Sequence, residues 1–302
     1  MVTGERVRTD TQSRLAVVAI GVTVVLWASA FVAIRHVIPE VSAGALALGR
    51  LIVGSVVLGV LVLARRGREE SQGWPASNGW MLLVACGLIW FGAYNVALNL
   101  AERRVDAGTA AMLVHIAPLL IAVLAGLLLK EGFPSRVLVG CVVAFSGVLM
   151  IGYAQAPQGR RDDLVGVLLC VVAAIAYAVG VITQKPLLGS MSALRVTWLA
   201  CTIGAIGCLP FAGDLMRDLA AASPATVGWV IYLGVGPTAL AFTTWAYALA
   251  RTSAGKLGTT TYLVPPVAVV LGWLLLGETP ALLALLGGGI CLLGVYLARR
   301  TG

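Results

Sequence analysis

The sequence predicts an all-α integral membrane protein in which ten transmembrane helices form two inverted five-helix repeats around a central cavity. Three observations support this fold class. Hydrophobic residues make up 60% of the 302 residues and charged residues only 11%, with a mean hydropathy of +0.97, whereas soluble proteins carry about a quarter charged residues. Apolar runs long enough to cross a bilayer recur along the whole chain, and its second half repeats its first.

The predicted spans are runs of about 20 apolar residues, the length needed to cross a hydrocarbon core of roughly 30 Å. The first run contains Ala-Ser-Ala at residues 28–30, which resembles a signal-peptidase site. Because the run continues past these residues, we predict an uncleaved first helix. In chain order the ten spans are 15–34, 42–64, 80–101, 106–129, 136–154, 164–184, 193–212, 227–250, 254–276 and 280–298.

The positive residues predict the orientation, since Lys and Arg concentrate on the cytoplasmic side of membrane proteins. With the N-terminus inside, 14 of the 21 Lys and Arg residues lie on the cytoplasmic side, 6 lie outside and Arg50 lies within a span. We therefore predict a multi-pass protein of the cell inner (cytoplasmic) membrane with both termini in the cytoplasm. Residues 1–14 form a cytoplasmic tail, followed by a first repeat at 15–154 and a second at 164–298.

The repeat is clearest in two blocks, "LLLKEGFPSRVLVGCVVAFSGVLMIG" from residue 127 and "LLLGETPALLALLGGGICLLGVYLAR" from residue 274. Earlier segments match less well, with Arg50 opposite Arg195. Because each repeat has five spans, the second must enter the membrane from the opposite side. An offset of 147 aligns Pro118 with Pro265, Glu131 with Glu278, Gly140 with Gly287 and Gly147 with Gly294.

The motifs resemble those of a known family. "LWASAFVAIRHV" in the first span, "LALGRLIVGSVVLGVL" in the second and the twice-used block of Pro, Glu and Gly are similar to the EamA-type carriers of the drug/metabolite transporter superfamily. The segment "IAYAVGVITQKP" departs from that pattern. The resemblance implies export or exchange of small metabolites, such as amino acids or drug-like compounds, with the substrate site near the midplane between the repeats.

Polar groups deep in the spans are the first candidates for that site, because a charge at the bilayer centre costs at least about 2.5–3.5 kcal/mol. Arg50 and His115 are the deep ionisable residues, with Asn95 as a neutral companion. Arg50 either clamps a substrate carboxylate or phosphate, which guanidinium binds with two parallel hydrogen bonds, or links neighbouring helices. His115 either lines the central cavity or bonds a carbonyl that Pro118 leaves free.

Aromatic residues supply the apolar walls that small-molecule pockets require. Tyr262 is equivalent to His115 in the second repeat, three residues before its proline, so we expect the two rings to meet near the midplane. Each aromatic residue either contacts substrate or packs between helices. The candidates within the spans are Trp27, Tyr94, Tyr177, Trp245 and Tyr262.

Four further residues suggest architectural roles. Pro118 and Pro265 fall near the middle of the fourth and ninth spans, where they predict hinges or cavity linings. Glu131 and Glu278 end the same two spans, and we expect each to cap a neighbouring helix or to pair with a loop cation. Gly140 and Gly147, with their counterparts, predict close packing of the fifth span against the tenth.

Other functional classes have little support in the sequence. HExxH and GxSxG motifs are missing, the six cysteines form no CxxC pair, and the positive charges are scattered between spans. We therefore expect no enzyme activity, cofactor, metal site or nucleic-acid partner. The expected partners are a small-molecule substrate and the lipid bilayer, with the chain a monomer or homodimer. The alternatives are a membrane channel, or an integral membrane partner or enzyme that does not transport.

Overall fold

The computed structural model describes residues 2–65, 77–104, 110, 113–155, 164–276 and 281–299, and within these ranges all regular secondary structure is helical. The protein is a multi-pass membrane protein. The first helix, Val2–Val37, extends through the predicted tail before it enters the membrane. Six helical segments are long and apolar enough to cross a bilayer: Leu15–Val37, Ala43–Ala64, Gly79–Ala101, Leu164–Leu187, Pro224–Leu249 and Ala254–Leu275.

The other predicted spans correspond to shorter or bent segments. Helices Ala193–Gly207 and Leu209–Ala221 meet at 54°, at a short 3₁₀ turn that contains Pro210. Proline lacks the N–H that would continue the helix. Three shorter apolar segments, Ala117–Leu128, Ser135–Met150 and Leu285–Ala298, complete the set, the last two lying in helices Ser135–Gln155 and Leu282–Arg299. In chain order these ten segments are called spans 1 to 10.

Spans 3 and 8 each contain a π-helix at the same place in their repeat. In span 3, Cys86–Ala93 joins Ser77–Ala85 to Tyr94–Ala101. In span 8, Gly234–Leu240 joins Pro224–Leu233 to Ala241–Leu249. A π-helix has a wider turn with i→i+5 hydrogen bonds, and it often occurs at functional sites. The hydropathy pattern did not predict these two segments.

The prolines of spans 4 and 9 begin helices instead of interrupting them. In span 4 a turn at His115 and Ile116 precedes helix Ala117–Leu128, which has Pro118 in its first turn. In span 9, Ala254–Gly258 leads into a 3₁₀ segment, Thr259–Leu263, and then into Val264–Leu276, with Pro265 near its start. The first turn is where a missing N–H costs least. The prediction that these spans are continuous helices is therefore wrong.

Contacts between the repeats follow a two-fold pattern. Span 2 packs against its counterpart span 7, and span 5 packs against its counterpart span 10. Span 1 packs against spans 8 and 9, while span 6 packs against the equivalent spans 3 and 4. Ser55 on span 2 and Thr202 on span 7 share a hydrogen bond of 2.6 Å between their hydroxyl oxygens. The cavity predicted between the repeats therefore lies among spans 1, 3, 4, 6, 8 and 9.

The register of the first two spans in each repeat differs from the sequence match. The turn at 38–41 has the same form as the turn at 188–191, and helices begin at Ala43 and Ala193 immediately after Ser42 and Ser192. These residues are 150 apart, so Arg195 corresponds to Ala45. The pairing of Arg50 with Arg195 is therefore wrong, because loops before this turn have lengthened the offset. The same register makes Trp27 the counterpart of Tyr177.

The two ends of the bundle carry different turns. Residues 38–42 and 102–104 lie at one end, called the first end. Residues 129–134, 188–192 and 250–253 lie at the other, called the second end. At the first end the carboxylate of Asp218 accepts a hydrogen bond from the backbone N–H of Ser42 at 2.8 Å. Glu40 accepts bonds from the backbone N–H of Ser223 at 2.6 Å and the hydroxyl of Thr226 at 2.8 Å.

Candidate functional site

A pocket of about 620 Å³ lies between the repeats. This volume is in the range of small-molecule sites, about 300–1,000 Å³. The pocket reaches from the middle of the bundle toward the first end, where Ile34, Arg50 and Leu98 line it. Its walls are mostly apolar and aromatic. The lining residues are Trp27, Ala30, Phe31, Ile34, Arg50, Trp90, Tyr94, Leu98, Val114, His115, Tyr177, Phe242, Thr261 and Val264.

Five of the eight residues predicted to contact substrate line this pocket: Trp27, Arg50, Tyr94, His115 and Tyr177. They come from five different spans, which the fold brings together at the interface of the repeats. His115 is 6% exposed, and its ring centre lies 6.3 Å from that of Tyr262. The two rings predicted to meet are therefore neighbours, although only His115 reaches the pocket.

The other three predicted residues do not line the pocket in this conformation. Asn95 is buried, and its side-chain amide donates to the carbonyl of Phe91 at 2.7 Å, one turn back. Tyr262 has no exposed surface and packs among spans 4, 5, 9 and 10. Trp245 lies behind Trp27, with ring centres 5.2 Å apart. Hydropathy and span position did not distinguish the face of each helix.

Arg50 presents a free edge to the pocket. Its side chain is 4% exposed, and its Nε donates a hydrogen bond to the Thr238 hydroxyl at 2.9 Å. That hydroxyl in turn donates to the Leu233 carbonyl at 2.8 Å, within the π-helix of span 8. Among the residues that the structure describes, the two terminal nitrogens of Arg50 have no hydrogen-bond partner. A carboxylate in the pocket would satisfy both of them in the two-bond geometry that guanidinium favours.

The carboxyl group nearest in effect leaves this positive charge largely uncompensated. Glu102 follows span 3 and does not line the pocket. Burial raises the pKa of Glu102 to about 8, against the opposite influence of Arg35 and Arg50. A carboxyl with this pKa is mostly protonated at pH 7, and so carries little charge. Arg50 can therefore attract an anionic group from the substrate.

An aromatic cluster forms the pocket wall opposite Arg50's span. The rings of Trp27 and Tyr177, which are repeat counterparts, meet edge to face with centres 5.9 Å apart. Trp90 stacks on Tyr177 at 5.3 Å, and Phe242 lies 5.0 Å from Trp90. Trp90 and Phe242 were missed from the sequence. Phe242 was detectable, since an offset of 148 between the two π-helices makes it the counterpart of Tyr94.

A second cavity opens at the second end and is polar and basic. Arg251 and Lys256 supply its charge, and Thr260 forms its inner wall; Ile20, Thr252, Ser253 and Leu257 complete the lining. Thr261, the next residue after Thr260, lines the central pocket. The 3₁₀ segment of span 9 therefore stands between the two cavities. Mid-helix 3₁₀ stretches often mark hinges.

Side-chain bonds close the second end between these cavities. The Lys185 ammonium on span 6 donates to the carbonyls of Leu249 at 2.6 Å and Thr252 at 2.7 Å, at the end of span 8. The hydroxyls of Thr23 and Thr244 lie 2.8 Å apart and join spans 1 and 8. The central pocket thus reaches toward the first end, while the path to the second end is blocked.

The residues assigned architectural roles lie outside the pocket. The Glu131 carboxylate accepts hydrogen bonds from the backbone N–H groups of Ala254 at 2.8 Å and Gly255 at 3.2 Å. This is a helix-capping arrangement that ties the end of span 4 to the start of span 9. Glu278 lies outside the described residues. Pro118 and Pro265 follow the pocket-lining segments of their spans.

The described residues suggest no metal site. They include no group of three or more His, Cys, Asp or Glu side chains that could hold an ion. All six cysteines are free and buried. The chemistry of the site is therefore described by a guanidinium, an imidazole, hydroxyl groups and aromatic faces. This set can bind a small amphipathic molecule.

Comparison with known proteins identifies the family. A profile of the EamA-like transporter family matches residues 14–153 and again residues 164–300. The chain is 36% identical over 285 residues to a protein of Streptantibioticus cattleyicolor named "Probable terminal-alkyne amino-acid exporter", covering 94% of this chain and 93% of that one. It is 30% identical over 274 residues to "Uncharacterized transporter YdfC" of Bacillus subtilis, covering 89% and 86%.

A solved crystal structure shows the same fold. It superposes with a TM-score of 0.75 at 17% sequence identity, covering 94% of this chain and 96% of that one. The two-fold matching of the family profile agrees with the paired helices described above, and the curated relatives are named as transporters. The chain therefore belongs to the EamA-like transporter family.

Proposed function

We propose that this protein exports small amino acids or closely related metabolites that carry an apolar side chain, by alternating access through the central pocket. The observation that carries the proposal is Arg50, whose terminal nitrogens face an otherwise apolar pocket without a protein partner. A carboxylate satisfies that guanidinium, and the aromatic wall suits an apolar side chain. The name of the Streptantibioticus relative supports both the amino-acid class and the direction of transport.

The aromatic wall also suits the ammonium group of an amino acid. A cation over the face of Trp, Tyr or Phe gains about 0.5–2 kcal/mol. Trp27, Tyr177 and Phe242 present such faces within the pocket. None of the described lining residues is a carboxylate that could bind the ammonium by charge. We therefore propose that the substrate carboxylate binds Arg50 and that its ammonium and side chain bind the aromatic cluster.

Counterflow in proteoliposomes tests the proposal. Vesicles containing the purified protein and an unlabelled apolar amino acid should accumulate the labelled amino acid from outside, in excess of equilibrium. Amines that lack the carboxylate should compete poorly. A channel would give no counterflow, and an enzyme would return an altered compound, which mass spectrometry of the recovered label would detect. Counterflow absent for every carboxylate tested would refute the substrate class.

We further propose that the protein lies in the cytoplasmic membrane with both termini inside, which makes the first end external. The charge bias of the sequence supports this orientation. Because the native cysteines are buried, single added cysteines can report it. A membrane-impermeant maleimide should label Asp214→Cys in intact cells and should label Lys130→Cys only after lysis. The reverse pattern would require the opposite orientation.

A further inference from the structure

Gln184 is a buried polar residue without a visible purpose in this conformation. It lies near the second end of span 6 and has no exposed surface. Among the residues that the structure describes, neither its amide nitrogen nor its amide oxygen has a hydrogen-bond partner. An amide taken out of water without a partner costs free energy. Such a group in a native fold requires an explanation.

The repeat register gives Gln184 a counterpart in the pocket. The matching turns at 38–41 and 188–191 align span 6 with span 1 at a separation of 150 residues. Trp27 then corresponds to Tyr177, and both line the pocket. In the same register Gln184 corresponds to Ile34, which lines the pocket near the first end. Gln184 therefore occupies, at the closed second end, the position that Ile34 occupies at the end toward which the pocket reaches.

The rest of the pocket shows the same asymmetry. Arg50 and Leu98 line it near the first end, while their counterparts Ala200 and Ala246 are fully buried. In carriers built from inverted repeats, each repeat can adopt the conformation of the other, which closes one end and opens the other. Such an exchange would bring Gln184 from its buried position to the wall of the pocket.

We propose that Gln184 is a substrate-binding residue of the conformation open to the second end, where its amide bonds the carboxylate or ammonium of the substrate. This inference rests on the proposed function for the identity of the ligand. An amide can donate and accept, so it suits either group. Gln184 directly precedes Lys185, whose bonds to Leu249 and Thr252 close this end. Breaking those bonds would join the pocket to the basic cavity that Thr252 lines.

Thiol accessibility tests the exposure of this position independently of substrate identity. In Gln184→Cys, an impermeant maleimide applied at the second end should react at a measurable rate, and the same reagent applied at the first end should not. Unmodified protein, with six buried cysteines, gives the background. Saturating substrate at the second end should slow the reaction. A thiol at 184 that stays unreactive from the second end, or reacts from the first, overturns the proposal.

Sided affinity tests the binding role. In oriented vesicles, Gln184→Leu should raise the half-saturating concentration of the substrate at the second end about tenfold, the effect of losing a hydrogen bond to a charged group. The value at the first end should not change. Thr183→Val is the matched control, because that hydroxyl bonds carbonyls of its own helix. Equal half-saturating concentrations for Gln184→Leu and the unmodified protein at both ends would show that Gln184 only packs.

The two proposals can fail separately. Unmodified protein that shows no amino-acid counterflow refutes the proposed substrate class, whereas the pattern of labelling at residue 184 still tests the exchange of the repeats. If Gln184→Leu does not fold, the affinities of Gln184→Cys before and after modification provide the same comparison. Protection by substrate with unchanged sided affinity would also contradict a binding role for the amide.

Discussion

Replacing Arg50 with Gln should weaken binding of a carboxylate-bearing substrate by about a hundredfold, because hydrogen bonds to charged groups contribute about 1.5–3 kcal/mol and each 1.4 kcal/mol is a factor of ten. Arg50→Lys should give an intermediate loss, since a point charge lacks the paired N–H geometry. The dissociation constant of the purified protein, measured from quenching of its pocket tryptophans, reports the effect. The affinity for the corresponding amine without a carboxylate should change little in either variant.

The alternative role of Arg50 as a link between helices makes a different prediction. Its Nε bonds Thr238, so a structural role would lower the thermal unfolding temperature of Arg50→Gln without altering the preference for carboxylate over amine. Arg65→Gln is the charge-matched control, since Arg65 ends span 2 on the surface. An unchanged carboxylate preference in Arg50→Gln would remove Arg50 from the substrate site.

Thr238 offers a second view of the same clamp. Because its hydroxyl receives Arg50 Nε and is held by the Leu233 carbonyl, it fixes the guanidinium plane from within the π-helix. This explains why span 8 has a wide turn here, where Gly234 lies against Val53 and the carbonyl of Arg50. A regular α-helix would move the hydroxyl away from Arg50. The geometry of the candidate site is thus tied to a local irregularity of the fold.

The helical spans could be predicted because the bilayer imposes a strong constraint on composition. A stretch that crosses hydrocarbon must be apolar and must satisfy its backbone hydrogen bonds internally. That constraint does not distinguish α-, π- and 3₁₀-helix, since each satisfies the backbone. The π-helices of spans 3 and 8 and the 3₁₀ segment at Thr259–Leu263 therefore left little trace in hydropathy.

The site was predictable where a residue was out of place in a membrane. Arg50 and His115 were identified by their cost in lipid, and both line the pocket. Trp90 was missed because an aromatic residue in an apolar helix is ordinary. Tyr262 was included because sequence symmetry was taken to mean shared exposure. The pocket instead reaches toward one end only, so counterparts such as His115 and Tyr262 differ in what they face.

Replacing Gly147 with Ala should lower the free energy of unfolding by about 1–3 kcal/mol, the usual cost of overpacking a close contact. A Cβ at this position would lie 2.5 Å from the carbonyl oxygen of Gly287 and 2.7 Å from the backbone nitrogen of Cys291. Both are backbone atoms of span 10, so neither can rotate away. Spans 5 and 10 would have to separate along the seam that joins the repeats.

The matched control for this prediction lies on the same helix pair. A Cβ at Gly289 would meet nothing within 4 Å, so Gly289→Ala should be neutral or slightly stabilising, because Ala is the better helix former by about 1 kcal/mol. A thiol-reactive fluorophore can follow unfolding of both variants, since the buried cysteines become reactive only when the bundle opens. Equal unfolding temperatures for Gly147→Ala and Gly289→Ala would show that spans 5 and 10 do not pack at this distance, because only close packing makes one added methyl group costly and the other harmless.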